Sequence, residues 1–123
     1  MTWFAVHALI SMRRVDAVGP IHVYENVFLV EAEDAERAKE LAVEMARPEA
    51  EADDAFLVGG VSAVRSLVGV RKVISVSNPD PLDLDADRPA SGTEITYSEF
   101  EVDSEDDLRK LAAGESVAVR YVD

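Results

Sequence analysis

No cysteine occurs among the 123 residues, which removes disulfides, thiolate metal sites and cysteine nucleophiles together. Bases are scarce: twelve Lys and Arg stand against twenty-five Asp and Glu, a formal net charge of −13. A surface with that field repels phosphate backbones and anionic lipid, so direct binding to nucleic acid or membrane is disfavoured. No apolar run reaches the roughly 18 residues that a membrane span needs. The opening "MTWFAVHALISMRR" places Arg13 and Arg14 behind a short apolar run, the reverse of a signal peptide's order. A first strand and a cytoplasmic location are the expectation.

Catalytic groups are equally sparse. His7 and His22 are the only histidines, and a hairpin turning near Val18 sets them well apart, each a strand residue. Gly59 and Gly60, with Gly69 further on, match neither the dinucleotide fingerprint nor the lysine-bearing phosphate loop; they read as a turn entering a strand. No serine sits in a nucleophile-elbow context. With no catalytic constellation, no enzyme, no cofactor and no metal site are expected.

What is present suits one domain, 1–123, of 48% hydrophobic composition. From residue 3 to 12, Phe4, Val6, Ala8, Ile10 and Met12 alternate as one apolar strand face. The opposite face carries Trp3, Ala5, His7 and Leu9, too apolar for open solvent. These four form the candidate interaction surface, covered either by the C-terminal strand 116–122 or by a second copy of the chain. A turn at Gly19 and Pro20 leads to a second strand, 22–32, pairing antiparallel with the first.

In "DAERAKELAVEMARP", Ala35, Ala38, Leu41, Ala42 and Met45 make a helical stripe, with Asp34 as N-cap and Pro48 as its stop. "VSAVRSLVGVRKVISVS" is strand-like but too long to be regular, and Gly69 marks a bulge or bend. A proline-rich loop, 78–92, precedes the strand "TEITYSEFEV", a short helix and a last strand. The order β-β-α-β-β-α-β predicts an α+β fold: an antiparallel sheet of about five strands with helices packed on one face.

Two acidic stretches invite a metal reading. In "EFEVDSEDDLRK", residues 99–110 hold six carboxylates. Ser104 can cap the next helix, Glu105, Asp106 and Asp107 then occupy its first turn, where the dipole favours negative charge, and Gly114 ends it. Before it, Ile95 and Tyr97 lie on one parity and Phe100 and Val102 on the other, so the apolar face switches near Ser98 and Glu99. "DLDADRPASGTE", 83–94, places Asp83, Asp85, Asp87 and Glu94 as a calcium loop would, yet Arg88 stands where that loop needs glycine and Pro89 follows. It reads as a polar Asp/Pro loop that binds no ion.

"TWFAVHALI", "YENVFLVEAEDAERAKELA", "LVGVRKVISV" and "GTEITYSEFEV" occur in this order. Together they resemble the small bacterial proteins grouped as domain of unknown function 4288. The resemblance covers residues 2–102, the family-like core, and leaves 103–123 as a C-terminal helix-strand extension. It implies a bacterial, cytosolic, single-domain protein and supplies no catalytic residues. The expected function is a non-enzymatic protein-interaction module, a homodimer through the Trp3 face. The alternative is an immunity or antitoxin-like protein whose acidic surface neutralises a basic partner.

Overall fold

The computed structural model describes residues 1–52, 56–77 and 88–122. Four antiparallel strands form the main sheet: β1 (Thr2–Arg14), β2 (His22–Ala32), β3 (Phe56–Val58) and β4 (Val61–Val76), in the spatial order β2-β1-β4-β3. Helix α1 (Ala35–Ala50) joins β2 to β3. A second, two-stranded sheet pairs β5 (Phe100–Glu101) with β6 (Arg120–Tyr121), and α2 (Glu105–Ala112) lies between them in sequence. The fold is α+β, as the alternating and helical patterns predict. The sheet is not the five-stranded one expected.

Three differences from the expectation stand out, the first two in the sheet. Phe56–Val58 is a strand hidden in sequence by its shortness; it turns through Gly59 and Gly60, both at positive φ, onto β4. Residues 93–99 were expected to ladder and instead run without regular pairing, leaving only Phe100 and Glu101 as strand. The apolar parity change near Ser98 therefore marks a segment that crosses the sheet rather than joining it. Thirdly, α1 runs past Pro48 to Ala50. A proline in the last turn removes a single N–H from the helix ladder, and the Glu51 N–H closes that turn onto Arg47 O at 2.8 Å.

The core forms on the even face of β1. Phe4 and Val6, with Val30 and Ala32 from β2, pack under Ala38 and Ala42 of α1. The buried helix stripe is Ala38, Ala42, Ala46 and Ala50. It differs from the expected one because Met45 is half exposed and Ala35 open. Small residues let the helix axis approach the sheet closely, which suits a strand face already filled by Phe4 and Phe28.

Both caps form as the sequence indicates: Asp34 accepts the Arg37 N–H at 2.8 Å, and Ser104 accepts that of Asp107 at 3.1 Å. At the end of α2, Glu115 N reaches Lys110 O and Gly114 N reaches Leu111 O, with Gly114 at φ 77°. This is the paired closure that a left-handed glycine permits. Five of the six carboxylates have a structural place: Asp103 and Glu101 pair with Arg120, Asp106 pairs with Lys110, and Glu105, Asp106 and Asp107 occupy the first turn of α2.

Candidate functional site

The odd face of β1 carries the unusual chemistry. On β2 its cross-strand neighbours are Leu29 beside Ala5, Val27 beside His7 and Glu25 beside Leu9. On β4 the register slips twice, between His7 and Ala8 and again between Leu9 and Ile10, on either side of the Gly69 pair. A bulge gives the strand an extra residue and re-aims its side chains. Its consequence is that two consecutive cations, Arg71 and Lys72, both serve this face.

Arg71 donates to Glu25 through Nε at 2.5 Å and Nη2 at 2.9 Å, crossing over β1 to do so. Glu25 Oε1 also lies 2.6 Å from His7 Nδ1. Since an ionised carboxylate only accepts, Nδ1 carries the hydrogen of that bond, and on the other side of the ring Nε2 is hydrogen-bonded to the Thr96 hydroxyl, 2.5 Å away. Lys72 Nζ donates to the Tyr97 carbonyl, and the Arg71 guanidinium stacks on the Tyr121 ring at 4.5 Å. The Arg71 hydrogen bonds above all, helped by His7, hold the Glu25 carboxyl down at about 2 against the opposing effect of burial.

Hydroxyl, imidazole and carboxylate thus stand in the order of a nucleophile relay. Such a relay works only where its hydroxyl and base can meet substrate. His7 is 2% exposed, and Glu25 is committed to Arg71 through both oxygens. The chemistry available is that of a clasp: a charge-assisted chain tying β2, β1 and β4 to the segment 93–97 and, through Tyr121, to the C-terminal strand.

Of the four residues of the sequence-derived surface, His7 belongs to this clasp and the others lie along the same strand face. Ala5 and His7 are fully buried, Trp3 and Leu9 half-buried. At His7 the chain itself supplies a cover, through the Thr96 hydroxyl. His22 is exposed on the other face, opposite Met12, well away from His7. Glu94 is exposed; Asp83, Asp85 and Asp87 fall outside the described residues. Among the described residues no group of His, Asp or Glu is arranged to hold a metal ion, and no helix is long and apolar enough to cross a membrane.

Beyond the clasp the same face stays open along β2. Val23, Val27 and Leu29 are 54%, 41% and 40% exposed, and the outer edge of β2 has no strand partner among the described residues. An eleven-residue edge with β-branched side chains, no proline and no lysine lacks the usual protection against pairing. Comparison with family models, with curated proteins and with solved structures finds no match.

Proposed function

We propose that the protein is a non-enzymatic interaction module that pairs with a second copy of itself along β2. The observation that carries this reading is the exposed Val23, Val27 and Leu29 row on an edge that has no strand partner among the described residues. A two-fold axis passing near Asn26 sets Val23 against Leu29 of the second copy, on the same face. Edge pairing then extends the sheet and brings the two apolar rows side by side on one face. Electrostatics favour this edge over the rest of the surface, because Glu25, the carboxylate within the row, is already neutralised by Arg71. The family resemblance, carried by four short motifs, is compatible with such a module and adds no activity to it.

Size-exclusion chromatography with light scattering, across a concentration series, tests the reading. The wild type is expected to elute with the mass of a dimer at roughly tens of micromolar. Val27→Glu, an exposed position whose change leaves the core intact, is expected to give a folded monomer. A monomeric wild type throughout the series would refute it.

A further inference from the structure

The even face of the sheet outlasts the helix that covers it. Helix α1 ends at Ala50, while β1 and β2 continue past it to Arg14 and His22. The uncovered end, closed on one side by the β3 hairpin, is a cavity of about 680 Å³. That is within the range of small-molecule sites, roughly 300–1,000 Å³. Its walls are Ile10, Met12 and Phe56, with Tyr24 at the open side and Glu49 from the end of α1. Nothing in the β2 edge reading requires this space, which lies on the opposite face from the Val23–Leu29 row.

One group in the cavity lacks a partner. Arg65 lines it, with its guanidinium 4.6 Å above the Phe56 ring. Its Nε is buried and makes no hydrogen bond. A buried donor left unmade is costly, and a guanidinium stacked on an aromatic ring presents its N–H fork edgewise, the geometry that receives a carboxylate. Among the described residues that line the cavity, Arg65 is the sole Lys or Arg, and His22 and Glu49 also line it. Together with a net charge of −13, this argues against a phosphate dianion and for a single negative charge. We propose that the cavity binds a small monocarboxylate with an apolar body, the carboxylate on Arg65 and the body against Ile10, Met12 and Phe56.

Decanoate and decanol serve as probes, titrated into the intact protein and followed by amide chemical shifts. Decanoate is expected to saturate, with shifts gathered at Ile10, Met12, Phe56 and Arg65, and to bind at least about tenfold more tightly than decanol. Arg65→Met, which keeps the stem and loses the fork, is expected to lower decanoate affinity by a similar factor and to leave decanol unaffected. Should that variant not fold, the wild-type comparison of the two probes still decides, and Arg65→Lys provides a folded variant that retains charge but loses the bidentate fork. Equal affinity for acid and alcohol, undiminished binding in Arg65→Met, shifts centred elsewhere, or no saturation would each overturn the proposal.

Discussion

At the scale of single residues the clasp makes two measurable demands. The folded-state pKa of Glu25 lies at about 2, below its ordinary 4.5, so the native protein binds this proton less readily than the unfolded chain does. Its stabilisation is complete above about pH 4.5 and is lost as pH falls through 2. With the side chain 26% exposed, solvent screening reduces the gain to about 1–2 kcal/mol. Urea midpoints measured from pH 6 to pH 2 should therefore fall less steeply in Glu25→Gln than in the wild type; parallel slopes would show that Glu25 contributes nothing in acid. Thr96→Val is nearly isosteric but leaves Nε2 of fully buried His7 without its hydrogen-bond partner, at an expected cost of about 1–3 kcal/mol. Thr96→Ser restores the hydroxyl and should restore most of the stability. A Ser variant as unstable as the Val variant would mean that the methyl group, not the hydrogen bond, matters.

Among elements, legibility followed how local the determining physics is. The alternation of β1, the Asp34 and Ser104 caps and the Gly114 stop depend on neighbours a few residues away, and the sequence shows all of them. The strand expected over 93–102 shrank to Phe100–Glu101 because Thr96 and Tyr97 use a hydroxyl and a carbonyl on His7 and Lys72 across the sheet; β propensity cannot distinguish that from a ladder. The clasp was invisible for a related reason: Glu25 and Arg71 are 46 positions apart and meet only because of a bulge whose register no local pattern encodes. Gly69 hinted at the bulge without saying which side chains it would re-aim. The alanine stripe gives a prediction at this scale. Ala42 is fully buried between α1 and the sheet, so Ala42→Leu should overpack and cost about 1–3 kcal/mol in chemical denaturation. Ala35→Leu, on the same helix but exposed, should stay within about 0.5 kcal/mol. Equal effects at the two sites would mean the helix does not seat on its alanine face.

For the molecule as a whole, charge and apolar surface act in opposition, and salt separates them. A net charge of −13 makes two copies repel at any contact, and the exposed acids of α1 and α2 add to that field at a distance. Near physiological ionic strength the field is screened beyond roughly 8 Å, while the Val23, Val27 and Leu29 contact depends on apolar area and is scarcely touched by salt at that level. The Glu25–Arg71 pair, shielded under Tyr121, should survive as well, since it is screened less than an exposed pair would be. Raising sodium chloride should therefore strengthen self-association, moving the sedimentation equilibrium of the wild type toward dimer between low and near-physiological salt. Leu29→Glu adds a carboxylate to each row and should abolish the dimer at low salt, with only partial recovery when salt is raised. If association instead weakens as salt rises, ion pairs rather than the β2 row hold the copies together, and the edge-pairing model fails.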